Sequence, residues 1–380
     1  MTSASDGPKG HVLVSPDKFK GSLSAPEVAA HIAIGLRTVR PDVPVLLLPV
    51  ADGGDGTAEA AIAAGYRRVE LKVCGPTGKE VRADLAMSGD TAVVELAAAS
   101  GLARLPAGRP EPLTATSYGT GQLIAAAKRL GAHRIVLGLG GSACTDGGAG
   151  LVQGLGGRLL DGLGNSLPPG GAALRSLHRL DLRGLADLSG VEIVVASDVD
   201  NPLLGPEGAA AVYGPQKGAT AEDVRVLEVG LRRWADLGEA ATRRQVRNSP
   251  GAGAAGGVGF AALAFLGARV EPGIAYLLDL LDFNGKARGA RLVITGEGSL
   301  DAQTLRGKAP IGVARAATRI GVPVVAVAGR RALTGEQLRR ARIQAAYALT
   351  DIEPDVDRCM RQAGRLLERL VVAIAEEWLK

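Results

Sequence analysis

Short β-branched segments, each followed at once by glycine and polar residues, recur along this chain and constrain its fold most strongly. Residues 11–15 and 45–50 are the first two predicted strands, and residues 24–40 between them have the Ser24 N-cap and the Pro26 of a helix start. This β-α-β-α order predicts a parallel sheet covered by helices. Ligands of such sheets bind outside the carboxyl ends of the strands, which is where the glycine and polar residues fall.

The pattern changes after about residue 65. Close-spaced strands separated by turn residues predict an antiparallel meander at residues 68–73, 81–87 and 91–96. A helix and two strands are predicted next, at residues 117–130, 134–139 and 191–197. From residue 290 the opening order returns, with strands at 291–295, 323–328 and 345–349 and helices at 307–320, 333–342 and 356–379.

Two βα-type ends that enclose a differently patterned middle predict an α/β protein in which one domain is inserted into another. A length of 380 residues also suits two domains. We place the boundaries near residues 66 and 287. Residues 1–66 and 287–380 then form a discontinuous parallel-sheet domain, and residues 67–286 form the inserted α/β domain.

Composition excludes several classes of function. The net charge of +5 is mild, four Phe, five Tyr and two Trp are too few for a base-stacking surface, and residues 330–342 have the spacing of a solvated basic helix face. We therefore expect no nucleic-acid partner, whereas a small anionic substrate is compatible with the charge. Three scattered cysteines argue against a disulfide framework. The first ten residues carry no apolar signal segment and no long apolar run follows, which predicts a soluble, cytoplasmic protein without a membrane partner.

The first polar cluster, residues 15–22, follows the first predicted strand and contains Lys18, Lys20 and Ser22. Lysine is a flexible point charge that suits phosphate or carboxylate oxygens. The segment also fits a polar surface loop without a ligand.

The second cluster, residues 51–57, places Asp52 and Asp55 among glycines after the second strand. Such a pair suits Mg²⁺, which takes one or two carboxylates together with phosphate oxygens. One carboxylate could instead accept a proton from a substrate hydroxyl. Asp55 also fits the N-cap of the following helix.

The third cluster, residues 138–150, contains six glycines in thirteen residues between a predicted strand and a helix. Backbone N–H groups in such a loop can bind phosphate, although a tight structural turn is the alternative. Its candidate binding residues are Gly140, Gly141, Ser142, Thr145 and Asp146. No Walker A sequence occurs in the chain.

The fourth cluster is split between Asp198, which follows one strand, and Glu297 and Asp301, which follow another. Gly296 and Gly298 flank Glu297, which leaves open approach for a ligand, and Lys308 begins the next helix. Isolated carboxylates after strands are often helix caps, which is the alternative here.

A fifth glycine stretch, residues 251–259, fits either close backbone approach or a hinge, and both remain open. The four histidines are scattered, which argues against a Ser-His-Asp triad and a zinc hydrolase. Lysines, carboxylates and glycine-rich loops instead fit phosphoryl transfer, where positioning and charge neutralisation supply most of the catalysis.

Taken together, the clusters resemble the glycerate kinase family. The resemblance rests on SPDKFKGSLSAPEVA at Ser15, PVADGGDGT at Pro49, GLGGSACTDGGAG at Gly138, ASDVDNPLLGPEGAA with YGPQKGA from Ala196, PGAGAAGGVG at Pro250 and TGEGSLDAQTLRGKAP at Thr295. It implies an ATP- and Mg²⁺-dependent kinase that phosphorylates glycerate. It also implies two α/β domains, one discontinuous and flavodoxin- or Rossmann-like and one inserted, with the site in the cleft between them. Lys18 and Cys144 stand where the family often has serine and threonine.

We infer the roles of individual residues as follows. The predicted catalytic residues are Asp52, Lys18 and Asp198. The predicted substrate-binding residues are Lys20, Ser22, Asp55, Gly140, Gly141 and Ser142. The predicted cofactor-binding residues are Thr145, Asp146, Gly296, Gly298 and Lys308, and the predicted metal ligands are Asp198, Glu297 and Asp301.

Two other functions stay open at this point: a non-catalytic regulator that binds a nucleotide or hydroxy acid, and a kinase of a related small hydroxy acid. The sequence does not choose between the hydroxyls at carbon 2 and carbon 3 of glycerate. A homo-oligomer is compatible with it.

Overall fold

The computed structural model describes residues 10–107 and 109–380. Residues 1–9 lie outside this range, and they include most of the ten residues from which we predicted that no signal segment is present. Among the described residues, no helix has the length and the apolar character needed to cross a membrane.

The described residues form thirteen strands. They are β1 (Val12–Pro16), β2 (Val45–Leu47), β3 (Arg67–Cys74), β4 (Glu80–Ser88), β5 (Thr91–Glu95), β6 (Arg134–Gly138), β7 (Arg158–Leu160), β8 (Arg179–Asp181), β9 (Glu192–Ala196), β10 (Arg269–Glu271), β11 (Leu292–Leu300), β12 (Val324–Arg331) and β13 (Ala345–Ala348).

They also form fourteen α-helices. These are α1 (Ala25–Val39), α2 (Thr57–Ala63), α3 (Leu96–Ser100), α4 (Tyr118–Arg129), α5 (Ala149–Gly154), α6 (Ala209–Tyr213), α7 (Ala221–Thr242), α8 (Ala254–Phe265), α9 (Gly273–Leu280), α10 (Phe283–Ala287), α11 (Ala309–Arg319), α12 (Gly335–Arg340), α13 (Val356–Arg361) and α14 (Ala363–Trp378).

The chain folds into two compact units. Unit 1 comprises the described residues up to Asp52, together with Glu59–Gly65 and Ile274–Lys380, and unit 2 comprises Gly53–Ala58 and Tyr66–Gly273. The domain limits near residues 66 and 287 that we derived from the sequence stay a prediction.

Unit 1 contains a five-stranded parallel sheet in the order β13-β12-β11-β1-β2. Counted along the chain within this unit, the order is that of a flavodoxin-like sheet. The order reverses between β1 and β11, and ligands of such sheets bind at this switch point. The predicted α/β fold with a flavodoxin-like parallel sheet is therefore confirmed.

Helices α1 and α14 pack closely on one another in unit 1. Gly35 of α1 makes this approach possible, because a Cβ there would lie 2.6 Å from the backbone oxygen of Glu368. The His31 ring nitrogen and the Glu368 carboxylate also pair across the contact at 2.7 Å. At the start of α1, Ser24 forms a reciprocal capping box with Glu27, as its sequence position indicates.

The prediction of one closing helix over residues 356–379 is wrong. The backbone leaves the helical region at Gln362, with φ −120° and ψ 23°, and separates α13 from α14. In α13 only Cys359 is buried, whereas α14 buries an apolar stripe, so the packing of α14 sets its own direction.

Unit 2 contains a six-stranded sheet in the order β10-β9-β6-β5-β4-β3. β3, β4 and β5 are antiparallel neighbours, which confirms the predicted meander, and β5, β6, β9 and β10 continue the sheet in parallel. The short antiparallel pair β7–β8 was not predicted. In the core, fully buried Trp234 stacks on Phe265 with ring centroids 4.9 Å apart.

We predict that Gly35→Ala destabilises the protein, because the new methyl group meets backbone of α14 that has no room to move. The expected loss is about 1–3 kcal/mol, the usual cost of overpacking. Gly335→Ala is the matched control: it lies on α12, and its Cβ would come no closer than 3.5 Å to the flexible end of Arg339. Urea unfolding of both variants measures the difference, and equal midpoints would contradict the proposed packing role.

Candidate functional site

Two carboxyl groups lie at the switch point of the unit 1 sheet. Asp17 directly follows β1, and its amide donates to the Gly296 carbonyl oxygen of β11 at 2.8 Å. Burial, and next the negative charge of Asp52, raise the pKa of Asp17 to about 7. Asp17 stands in the SPDKFKGSLSAPEVA motif, but no role was predicted for it; its position directly after the first strand was the available signal.

Glu297 of β11 is the second carboxyl group, and it is buried. Burial raises its pKa, while the Thr304 hydroxyl, which donates to it, and Lys308 oppose this shift. The Lys308 ammonium lies 3.6 Å from a Glu297 oxygen. Asp17, Asp52 and Glu297 influence one another electrostatically, so the structure brings these three acids together.

A polar chain continues from Glu297 towards the surface. The Ser299 hydroxyl donates to Asp301 at 3.1 Å and accepts from the Arg330 guanidinium at 3.0 Å. The interpretation of residues 330–342 as one solvated helix face is therefore wrong at its start, because Arg330 and Arg331 end β12. Strand pairing with β11, rather than helical spacing, places Arg330 beside Ser299.

The other predicted residues of unit 1 lie in the loop after β1 or on β11. Lys18 is half-buried next to Asp17, and Lys20 is exposed. The Ser22 hydroxyl donates to the Phe19 carbonyl oxygen at 3.1 Å, a bond within the loop itself. Gly296 permits close strand packing, since a Cβ there would lie 2.3 Å from the Val327 oxygen. A Cβ on Gly298 would lie 3.1 Å from the Lys20 amide nitrogen, so the loop after β1 touches β11 at this point.

The donor set of this cluster fits Mg²⁺. Carboxylate oxygens are hard ligands, and burial together with like charge holds the pKa of Asp17 and of Glu297 above the ordinary range, as expected for acids that need a cation or a proton. In the described part of the chain, no group of three or more His, Cys, Asp or Glu side chains is arranged to hold a metal ion. Mg²⁺ commonly takes only one or two carboxylates and completes its shell with water and phosphate.

Unit 2 holds the glycine-rich loop at residues 138–150, directly after β6. The carboxylate of Asp146, buried inside it, accepts hydrogen bonds from the amides of Ser117 at 2.8 Å, Gly148 at 3.0 Å and Gly150 at 3.2 Å, and from the Ser117 hydroxyl. These bonds fix the shape of the loop. The cofactor-binding role that we inferred for Asp146 stays a prediction.

Residues 251–259 serve close approach to this loop. Gly256 has φ +69°, and a Cβ there would lie 2.2 Å from the Cys144 carbonyl oxygen. Its own carbonyl oxygen accepts from the Gly147 amide at 3.0 Å, while the Trp234 indole donates to the Gly147 carbonyl oxygen at 2.8 Å. Of the two interpretations left open by the sequence, the structure thus shows backbone packing at these glycines.

The outer part of the loop presents unused amides. Within residues 10–107 and 109–380, no acceptor bonds to the amide N–H groups of Gly140, Gly141 or Ser142. Gly140 also packs against the backbone of Gly54, where a Cβ would approach to 2.3 Å. Consecutive free N–H groups are the donors an anion requires.

Lys217 lies behind this loop. It ends the short 3-10 helix Pro215–Lys217, and its side chain is buried. Its ammonium donates to the Ser142 hydroxyl oxygen at 2.8 Å and to the Cys144 carbonyl oxygen at 2.6 Å. Lys217 stands in the YGPQKGA motif, but this contact was not predicted, because it spans more than seventy residues of the chain.

Glu95, at the end of β5, forms a carboxyl pair with Asp55. Its carboxylate accepts from the amide of Gly56 at 3.0 Å, just before α2, and from the amide of Ala58 at 3.2 Å, in the first turn of α2. Burial, followed by the charge of Asp55, raises the pKa of Glu95 to about 7. Sequence reasoning missed Glu95, although its position at the end of a predicted strand was a signal.

Asp198 lies in unit 2 after β9 and is exposed. One of its carboxylate oxygens accepts from the Gly273 amide at 3.0 Å, as a cap of α9 would. Thr145 is fully buried, and its hydroxyl has no hydrogen-bond partner among the described residues. The metal role of Asp198 and the cofactor role of Thr145 stay predictions.

Comparisons with known proteins agree over nearly the whole chain. A family model described as the glycerate kinase family matches residues 12–379. The glycerate kinase of Bacillus subtilis is 45% identical over 368 residues, which cover 96% of each chain. The glycerate 2-kinase of Escherichia coli is 46% identical over 323 residues, which cover 84% of each chain. A solved structure from Salmonella typhimurium covers 98% of this chain and 100% of that chain, with a TM-score of 0.82 and 41% identity.

We predict that Glu95 makes stability depend on pH. The pKa of Glu95 rises from 4.5 to about 7 on folding. The protonated side chain therefore contributes its full stabilisation below about pH 4.5, and this contribution is lost as the pH rises through about 7. Relative to Glu95→Gln, the wild-type free energy of unfolding should fall by on the order of 3 kcal/mol between about pH 4.5 and pH 8. Chemical denaturation across this range measures it. Exposed Glu207→Gln is the control, and parallel curves for wild type and Glu95→Gln would contradict the assignment.

Proposed function

We propose a phosphoryl-transfer reaction for this chain, which belongs to the glycerate kinase family. It is a kinase: a phosphotransferase with an alcohol group as acceptor, which uses a nucleotide and a small-molecule substrate. The proposal is that it transfers the γ-phosphate of ATP to a hydroxyl of glycerate and yields phosphoglycerate and ADP. The observation that carries it is the acid cluster at the switch point, with buried Asp17 and Glu297 and half-buried Asp52, in a chain of this family.

Glu297 and Asp301 are the proposed Mg²⁺ neighbours in unit 1, and Asp198 keeps its predicted metal role. Bound Mg²⁺ would neutralise negative charge on the phosphate oxygens. Lys308, 3.6 Å from Glu297, balances part of the charge of that carboxylate. Lys18 and Lys20 follow β1 and are placed to attract anionic oxygens.

The loop at residues 138–150 is the proposed anion site of unit 2. The amides of Gly140, Gly141 and Ser142 would donate to a phosphate chain or to the substrate carboxylate. Thr145, whose buried hydroxyl has no partner in the described part of the chain, could add a further donor. Asp55 keeps its predicted substrate contact.

Asp52 is the proposed group that orients the attacking hydroxyl and accepts its proton. The structure adds Asp17 beside it. Because the pKa of Asp17 is raised to about 7, this carboxyl exchanges its proton near neutral pH, which is the property of a useful proton acceptor.

The proposed product is 2-phosphoglycerate. The Escherichia coli relative is named a glycerate 2-kinase, and we extend that regiochemistry to this chain on the strength of 46% identity. The regulator without turnover is not favoured, because the curated relatives named above are kinases. A cytoplasmic location and a homo-oligomeric state stay predictions.

We predict that Asp52→Asn lowers kcat by about 10²–10⁴-fold, the usual loss when a proton acceptor is removed. The matched control is Asp357→Asn, an exposed aspartate of α13 in the same unit, which should leave kcat unchanged. ADP production with saturating glycerate and ATP measures both. Near-normal turnover of Asp52→Asn would reject this role of Asp52 without affecting the family assignment.

We predict a single product peak at the position of authentic 2-phosphoglycerate when the ³¹P NMR spectrum of the reaction is compared with both phosphoglycerate standards. A peak at the 3-phosphoglycerate position would reject the regiochemistry. Tartronate and hydroxypyruvate, offered in parallel, test the alternative of a kinase for a related hydroxy acid. A higher kcat/KM with either of them would reject glycerate as the preferred substrate.

A further inference from the structure

Lys217 carries a buried positive charge that no ion pair balances in the described part of the chain. Its side chain is 2% exposed, and its ammonium donates to the Ser142 hydroxyl oxygen and the Cys144 carbonyl oxygen. Removing a charge from water costs free energy unless it is paired or used. Both of its acceptors belong to the loop at residues 138–150.

The surroundings of Lys217 are built around its ammonium. A Cβ on Gly256 would lie 2.9 Å from the ammonium nitrogen, so glycine leaves the space that Lys217 fills. The titratable groups that face it are Cys144 and Asp146. Burial raises the pKa of Cys144, which keeps it a neutral thiol, and Asp146 is already bonded to Ser117, Gly148 and Gly150.

The hydrogen bond from the Lys217 ammonium determines where the Ser142 hydroxyl can donate its proton. Because the Ser142 oxygen accepts from the ammonium, the Ser142 hydroxyl proton must point away from Lys217. None of the described residues accepts a hydrogen bond from this hydroxyl. The amides of Gly140 and Gly141 lack an acceptor in the same range. Three donors of one loop are thus available to the same kind of ligand, an anionic oxygen.

We propose that Lys217 is a positioning residue that orients the Ser142 hydroxyl to donate to an anionic oxygen of the ligand bound at residues 138–150. This rests on the proposed function and deepens it. The ligand group is a carboxylate or a phosphoryl oxygen. Burial lowers the pKa of Lys217 to about 8, so its charge is present at neutral pH and is lost in mild alkali.

The first test measures KM for glycerate and for ATP in Ser142→Ala, Lys217→Met and the double variant. Each single change should raise one KM by about 10- to 100-fold, the worth of a charge-assisted hydrogen bond. The double variant should be no worse than the weaker-binding single variant, because Lys217 acts through Ser142. An effect on glycerate alone identifies a carboxylate oxygen, and one on ATP alone a phosphoryl oxygen. The proposal is overturned if the KM effects of the two single changes multiply in the double variant, or if the KM values are unchanged.

Lys72→Met is the matched control, since Lys72 is an exposed lysine of β3 in the same unit and its loss should leave both KM values unchanged. The second test needs no Lys217 variant, so it holds even if Lys217→Met fails to fold. In the wild type, the affected KM should rise at least about fivefold between about pH 7 and pH 9.5, and in Ser142→Ala it should stay flat. A flat wild-type profile overturns the proposal.

Calorimetric titration with glycerate and with ADP separates this inference from the reaction itself. Weaker binding of either probe to Ser142→Ala, in a protein that phosphorylates no glycerate, would keep the Lys217 assignment and reject the proposed reaction. Normal glycerate turnover with unchanged binding in Ser142→Ala and unchanged KM would reject the Lys217 assignment and keep the reaction. Failure of both probes to bind the wild type would reject both.

Discussion

The buried carboxylate of Asp146 holds the loop at residues 138–150 by accepting bonds from the amides of Ser117, Gly148 and Gly150. A carboxylate without water must be bonded in this way, so the loop cannot relax without exposing an unsatisfied charge. A buried positive charge also holds the loop, because the Lys217 ammonium donates to the Ser142 hydroxyl oxygen and to the Cys144 carbonyl oxygen. The loop is therefore fixed by the Asp146 carboxylate and by the Lys217 ammonium. Its remaining amides, at residues 140–142, keep one orientation in which they can donate to a ligand.

Unit 1 reaches a charged site by a different route. Parallel pairing sets Pro16 of β1 beside Gly296 of β11, so the next residues along each strand, Asp17 and Glu297, lie side by side. Their burial raises both pKa values, and Asp52 adds to the effect. The sheet order thus creates a local demand for a cation or a proton, and a metal-bound phosphate would meet that demand.

Local patterns predicted most of the elements because they depend on neighbours in sequence: the N-cap at Ser24, the meander of β3 to β5 and the parallel strands of unit 1. The carboxyl ends of the strands also marked Asp52, Glu297 and the loop at residues 138–150. Sequence patterns missed what depends on distant contacts. Lys217 acts through Ser142, seventy-five residues away, and Arg330 is placed by pairing with β11 rather than by helical spacing. The sequence pattern also missed the break at Gln362, which separates α13, where only Cys359 is buried, from α14.

Glycine is the residue on which these contacts depend, because most of the donors proposed for the anion site of unit 2 are backbone amides. A Cβ would reach 2.3 Å from the Ala196 oxygen at Gly53, 2.3 Å from the Gly54 Cα at Gly140 and 2.2 Å from the Cys144 oxygen at Gly256. Any side chain there would push the loops apart and take the amides of residues 140–142 away from a common ligand. Each glycine loses more backbone entropy on folding than other residues do, and this chain has 54 glycines. The cost is offset where a glycine lets two backbone segments touch, because only there do the backbone amides come close enough to bind a ligand.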